Sequence, residues 1–298
     1  MIPIIEAKTL VQHVASNRSE WFGLDYNMNI YRGCNHGCIY CDSRSDCYNI
    51  PNFDQVTVKK DALTMLSKEL LSKRKKGVLG IGSMSDPYNP FEKQLEITRE
   101  ALIIIDATDF GISLITKSHL VVRDLDILEN INKKQSVIIN ITITCAEDML
   151  SKKIEPNAPP SSKRFDCIKQ LSNAGIFCGV LVMPILPFIN DTSDNIKRIV
   201  ELSAAAGAKF VYPMFGVTLR DTQRTHFYNM ADKLYPDISK KYKQTFHQQY
   251  TCWSSKYIEL GNVFVRECKK HNMLYAMPDI IDAYKKQEAQ VEQLSFPL

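Results

Sequence analysis

The chain has 298 residues, 45% hydrophobic and 23% charged, a balance typical of a globular protein with room for a sizeable core, either one α/β domain with an extension or two modest domains. No window approaches the ~18 consecutive apolar residues of a membrane span, and the opening MIPIIEAKTLVQHVASNRSEW lacks a basic segment followed by a long apolar one, so the expected location is the cytoplasm. A net charge of +4 is too mild to argue for a nucleic-acid partner by itself, and nine cysteines, an odd number with no secretory signal, argue against a disulfide framework.

In chain order, residues 1–20 read as a short lead-in and Tyr26–Ile30 as a first strand, followed at once by a cysteine-rich loop. Asp61–Lys76 reads as a helix closing on Lys73, Arg74, Lys75 and Lys76, the one dense basic run, whose cations suit a helix C-terminus. Val78–Gly82 is a second apolar run. A helical pattern then spans Gln94–Ile105, with Leu95, Thr98, Ala101, Leu102 and Ile105 on one face. Gly111–Thr116 is a third run, with a helix over Val121–Asn132, and the β-branched segment Val137–Ile143 is a fourth. Glu147–Pro160 reads as a loop, and Ser162–Asn173 as a helix ended by Gly175. Phe177–Met183 is a fifth run. Asn190-Asp191-Thr192 supplies cap chemistry for a helix to Ala206, and Phe210–Met214 is the sixth run.

Six strands alternating with helices imply a parallel sheet with right-handed crossovers, either doubly wound or a partial TIM-like barrel. Beyond Arg220 the composition shifts toward Tyr, Lys and Gln. Helical patterns there cover Thr222–Leu234, Lys240–Ser254, Ile258–His271 and Asp279–Leu294. The expected organisation is a lead-in (1–20), an α/β body (21–220) and a helical C-terminal extension (221–298).

The strongest chemical signal is Cys34-Asn35-His36-Gly37-Cys38-Ile39-Tyr40-Cys41. Thiolates closely spaced on one loop can wrap an iron–sulfur cubane, and three ligands for four irons leave one iron open for a cofactor or substrate. Gly33 and Gly37 give the backbone the freedom of a tight wrap. Two other readings compete: a closed zinc site with Cys47 or His36 as fourth ligand, although no second knuckle occurs in the chain, and three unconnected thiols. Cys145, Cys167, Cys178, Cys252, Cys268 and Cys47 are scattered, mostly among apolar residues, and are expected to be buried small hydrophobes.

CNHGCIYC resembles the CxxxCxΦC loop of the radical S-adenosylmethionine (SAM) superfamily, with Tyr40 as the aromatic Φ. The chain that follows resembles the spore photoproduct lyase-like branch, also called DNA repair photolyase-like. The matching stretches are Gly82–Glu92, Thr116-Lys117-Ser118 with Arg123-Asp124, Thr142-Ile143-Thr144, Glu155-Pro156, Arg164, Ala174-Gly175-Ile176, and Pro184–Pro187 with Asn190-Asp191. They run in order over about two thirds of the chain.

The resemblance implies a partial (β/α)6 TIM-like barrel whose site lies at the C-terminal ends of the strands. It implies a [4Fe–4S] cluster on Cys34, Cys38 and Cys41, with SAM chelating the open iron. Ser85 and Asp86 would accept from the SAM amino group, Lys117 would pair with its carboxylate, Thr142 would add a hydroxyl contact, Tyr40 would lie beside the adenine, and Arg164 would either cap a helix or contact SAM or substrate. An electron donor such as flavodoxin or ferredoxin is implied, as is hydrogen abstraction from an unidentified substrate, a nucleic acid or a peptide. Spore photoproduct lyases carry a tyrosine after the third cluster cysteine and a cysteine two residues before the Ser-Asp pair. Asp42 and Ser83 stand there in this chain, which puts thymine-dimer repair in doubt unless another donor such as Tyr88 serves. Tyr242, Lys243, Tyr250, Trp253, Lys256 and Tyr257 offer aromatic and cationic groups suited to bases and phosphates, or else pack inward as an amphipathic face.

Overall fold

The computed structural model describes residues 2–15 and 20–285. Six parallel strands form its centre: β1 (Tyr26–Met28), β2 (Val78–Ile81), β3 (Gly111–Thr116), β4 (Val137–Thr142), β5 (Phe177–Val182) and β6 (Phe210–Pro213). Each pairs with its sequence neighbour, and a seventh strand, Val11–His13, lies antiparallel against β1. The strand order follows the chain without the reversal that a doubly wound sheet requires, and the described edge strands do not pair with each other, so the arc is a partial TIM-like barrel.

Continuous apolar strands such as Val-Ile-Ile-Asn-Ile-Thr follow from burial on both faces. Ile139 and Ile141 of β4 point outward into the main core, packed under the helices, while Ile138 belongs to the cluster that fills the lumen with Phe22, Val78, Leu181 and Phe210. Helices α1 (Ala62–Ser72), α2 (Ile97–Ala107), α3 (Leu125–Lys134), α4 (Ser161–Asn173) and α5 (Ser193–Ala205) occupy the crossovers. Thr192 caps α5 by accepting from the Asn195 amide at 3.2 Å.

Beyond the arc come α6 (Asp221–Leu234), α7 (Ile238–Phe246), α8 (Tyr257–Lys270) and α9 (Met277–Tyr284). Helix α9 plugs the base of the barrel. Its Ile280 and Tyr284 join the lumen cluster, and the Tyr284 hydroxyl donates to the Phe22 carbonyl.

Several expectations are corrected. Helix α1 ends at Ser72, so Lys73–Lys76 are not its last turn; the ammonium groups of Lys73 and Lys76 lie over the rings of Tyr26 and Phe110, at 5.4 and 4.7 Å. The expected helix at 94–105 is interrupted, with a short turn at Glu92–Leu95 before α2. Likewise a 3-10 turn, His119–Asp124, precedes α3. A short helix, Asp148–Ile154, sits within the expected loop at 147–160. The expected helix over Lys240–Ser254 stops at Phe246, because His247 turns to φ 48°, and Thr251–Trp253 becomes a strand antiparallel to Gly216–Thr218. The lead-in is built into the fold, since Ile4–Ile5 pairs with Thr57–Lys59 in a small sheet. Residues 286–294 of the last expected helix lie outside the described residues. Cys145, Cys167, Cys178, Cys252 and Cys268 are buried as expected, but Cys47 is exposed.

Candidate functional site

At the C-terminal ends of the strands lies a cavity of about 420 Å³ whose wall includes Cys34, Cys38 and Cys41 with Tyr40, Ser85, Asp86, Lys117 and Thr142. Every expected site residue except Arg164 is therefore brought to one hollow, from the ends of four successive strands, β1 to β4. Met84, Ile115, Leu181, Met183 and Met214 complete an apolar lining.

The cysteine loop leaves β1 and wraps back on itself through two left-handed glycines, Gly33 at φ 79° and Gly37 at φ 72°. At Gly33 any side chain would collide with the backbone, its Cβ falling 2.6 Å from the Phe53 carbonyl oxygen. All three thiols are free. Among the described residues, the only three ligand groups of His, Cys, Asp or Glu within 4.8 Å of one another are Glu201, Glu267 and His271, away from this loop. Four ligands on one zinc ion would bring sulfurs to roughly 3.8 Å. The three thiols of this loop do not all come within 4.8 Å of one another. Cys47 is not in the cavity wall, and His36, which is, lies between Asp86 and Cys34, with Nδ1 3.3 Å from the carboxylate. Burial raises the thiols of Cys38 and Cys41, the latter to about 11, whereas at Cys34 burial is outweighed by the combined hydrogen bonds and charge of His36, which lower it.

Ser85 is buried, and its hydroxyl donates to the Gly33 carbonyl at 2.7 Å, leaving its lone pairs free to accept. Asp86 is differently placed from expectation. Its two oxygens already take donors from the Thr116 hydroxyl (2.6 Å), the Tyr88 amide (2.9 Å), the Lys117 amide (2.8 Å) and His36 Nδ1 (3.3 Å). A carboxylate offers about four lone-pair sites, so Asp86 is saturated and serves to orient His36 and the start of the loop after β3. Burial alone would raise its pKa, but His36 and these donors hold it down to about 2.

The Lys117 ammonium lies 5.6 Å from the centre of the Tyr40 ring. Burial opposes its charge, yet Cys38 and Glu155 raise its pKa overall. Thr142 ends β4 in the wall. Tyr40 is 4% exposed, and its hydroxyl donates to Glu155.

Arg164 is the site residue that the structure moves elsewhere. It is fully buried behind the wall, 2.5 Å from Glu155, and donates to the carbonyls of Thr142 (2.9 Å) and Pro159 (2.8 Å). Its long side chain is consumed by backbone and carboxylate before it can reach the hollow. Glu155 was visible only as part of Glu155-Pro156. Burial raises its pKa, but Arg164, Lys117 and Tyr40 lower it overall.

Asn190 and Asp191 tie loops rather than line the cavity. Asn190 accepts from the Leu186 amide (2.6 Å) and donates to the Thr144 carbonyl (2.9 Å), and Asp191 accepts from Ser254 (2.6 Å). Tyr88 is 1% exposed, outside the wall, and donates to Asp124 at 2.8 Å, so it is not poised as a hydrogen donor. Ser83 is in the wall, bonded to Asn27 and Asn29 at 3.1 and 3.2 Å. Asp42, also in the wall, accepts from Thr218 (3.0 Å) and Arg220 (2.8 Å), a link between distant segments that sequence spacing could not reveal. Tyr242 is buried, whereas Tyr250, Trp253 and Tyr257 are about half exposed.

An uncharacterized protein of Methanocaldococcus jannaschii is 37% identical over 171 residues, covering 57% of this chain and 63% of that one. One from Mycobacterium bovis is 27% identical over 230 residues, covering 75% and 67%. The chain thus spans about two thirds of the length of these curated relatives. Among solved structures, spore photoproduct lyase complexed with dinucleoside spore photoproduct superposes with a TM-score of 0.68 at 16% identity, over 92% of this chain and 81% of that one. The radical S-adenosylmethionine methyltransferase TsrM from Kitasatospora setae gives 0.55 at 10% identity, over 86% and 53%. At these identities the likeness establishes the fold. Among the described residues no helix is long and apolar enough to cross a membrane. The sequence pattern of the radical SAM superfamily matches residues 28–203, more than half of the chain, and the protein belongs to that superfamily.

Proposed function

We propose that the chain is a cytoplasmic enzyme that reductively cleaves SAM and uses the resulting radical on a substrate. The observation that carries this is one hollow walled by three free thiols of a single loop, spread wider than one ion needs, beside Ser85, Lys117 and Thr142. Cys34, Cys38 and Cys41 would hold a [4Fe–4S] cluster. When bound, cluster and SAM supply the one-electron cleavage of the sulfonium to methionine and a 5′-deoxyadenosyl radical, which takes hydrogen from substrate.

The chain's own residues bind, orient and exclude water. Ser85 would accept an N–H of the SAM amino group, while Asp86 keeps His36 and the loop after β3 in place. Lys117 would pair with the carboxylate as a buried point charge, Thr142 would add a hydroxyl, and the face of Tyr40 would flank the adenine. Met84, Met183 and Met214 keep the hollow apolar. The domain reading is a barrel of residues 21–220 carrying this chemistry, with 1–20 and 221–298 as flanking parts. The electron source would be a flavodoxin- or ferredoxin-like donor.

For the substrate, a nucleic acid is the favoured class. Thr251–Trp253 pairs with Gly216–Thr218, whose Val217 and Thr218 are in the cavity wall, so half-exposed Tyr250, Trp253 and Tyr257 flank that wall strand. The Arg220 guanidinium lies over Tyr250 at 5.2 Å. Exposed aromatics with a cation suit base stacking. A photoproduct lyase reaction is less favoured, because Tyr88 is committed to Asp124.

The test is anaerobic reconstitution followed by dithionite and SAM. About four iron and four sulfide per chain with formation of 5′-deoxyadenosine is expected. One zinc and no 5′-deoxyadenosine would overturn the reading. Turnover of dinucleoside photoproduct, against none, separates lesion repair from other chemistry.

A further inference from the structure

The loop that carries the cysteines is stitched to one short segment, residues 154–157. The Ile39 amide donates to the Ile154 carbonyl at 3.0 Å, and the Asn157 amide donates to the His36 carbonyl at 3.0 Å. Asn157 Nδ2 donates to the Asn35 carbonyl at 2.9 Å, and the Tyr40 hydroxyl donates to Glu155. At Gly37 a Cβ would lie 3.0 Å from Pro156 Cγ, so loop and segment are in close contact.

The segment is in turn anchored from beneath. Glu155 and Arg164 are both fully buried and face each other at 2.5 Å, and Arg164 also holds the end of β4 through the Thr142 carbonyl. A buried ion pair adds little net stability over an apolar pair of the same volume, because both charges must leave water. What this pair supplies is a fixed acceptor directly behind Tyr40, between the second and third cluster cysteines.

We propose that Glu155 is a positioning residue that, through Tyr40 and the 154–157 segment, holds the cysteine loop in its ligand-presenting shape before any cluster arrives. The inference rests on the cluster assignment for its purpose, but the shape of the loop can be measured without iron. A preformed loop lowers the ordering cost of ligand capture and keeps the three thiols apart, so that oxidation does not join them before iron binds.

The test is hydrogen exchange in the apoprotein, following the Ile39 amide in wild type, Tyr40→Phe and Glu155→Gln. Protection is expected in wild type, with exchange about tenfold faster or more in both variants. Tyr40→Phe keeps the buried ion pair and therefore decides the matter if Glu155→Gln does not fold. Tyr26→Phe removes a comparable hydroxyl bond, to the Lys75 carbonyl at 2.8 Å, and is expected to leave Ile39 unchanged. After reconstitution, iron loss to a chelator should accelerate in Tyr40→Phe by a similar factor. Wild-type exchange rates in Tyr40→Phe, or an unprotected Ile39 in wild type, would overturn the proposal. A wild type that is protected at Ile39 but takes up no iron would sink the cluster assignment alone.

Discussion

Replacing Arg164 by methionine leaves the Glu155 carboxylate buried without its cation, since both side chains are fully enclosed and 2.5 Å apart. Breaking a buried pair from one side costs about 3–5 kcal/mol. For 298 residues, with an unfolding entropy of roughly 2.1 cal/mol/K per residue, that is a fall in Tm of about 5–8 °C at neutral pH. The pH dependence is the sharper signature. Against the upward push of burial, Arg164 first and then Lys117 and Tyr40 hold the folded pKa of Glu155 below the ordinary glutamate value. In wild type the pair therefore contributes stability above the unfolded pKa and loses it as pH falls through the folded one. In Arg164→Met burial becomes the leading influence, the folded pKa rises, and the deficit against wild type widens as pH rises from about 5 to 7.5. Calorimetry or near-UV circular dichroism on the apoprotein over that range measures it. A fall in Tm under about 2 °C, or a deficit independent of pH, would refute the buried-pair account.

Lys117→Met removes the lysine ammonium of the hollow and should weaken SAM binding to the reconstituted protein roughly tenfold or more, the scale of a charge-assisted contact. Equilibrium dialysis with labelled SAM reads this directly, and unchanged affinity would remove Lys117 from the site. Gly82→Ala should destabilise by at least about 2 kcal/mol, because Gly82 sits at φ 96° and a Cβ there would lie 2.3 Å from the Ile115 carbonyl oxygen. A normal urea midpoint would contradict it. Thr192→Ala should lose about 1 kcal/mol by uncapping α5, seen as a lower urea midpoint at constant m.

The barrel was legible because its strands are buried on both faces. Runs such as Val137–Thr142 stand out against helices whose apolar residues recur with a 3.6 period. Elements that owe their form to a distant partner were not. Ile4–Ile5 and Val11–His13 are too short to declare themselves and become strands only on the edges offered by Thr57–Lys59 and β1. Thr251–Trp253 continues a helical-looking pattern, and is drawn out of it by His247 and by the edge of Gly216–Thr218. The Asp148–Ile154 helix carried its own signals, Asp148 in the first turn and Lys152 and Lys153 in the last, but they were masked by the prolines that follow.

For the site, residue types at strand ends located the hollow, but not how each group is employed. Asp86 looked available until its neighbours on the next strand end, Thr116 and the Lys117 amide, were seen to fill it. Arg164 looked like a contact residue until its burial beside Glu155 was known. Spacing along one chain segment says nothing of donors arriving from another.

The plug at the base of the barrel bears on the order in which the protein matures. Tyr284 closes over the Phe22 turn, 262 positions earlier in the chain, and Ile280 completes the lumen packing. While the polypeptide is still being synthesised, the lumen packing stays incomplete until Met277–Tyr284 has left the ribosome and folded against the Phe22 turn.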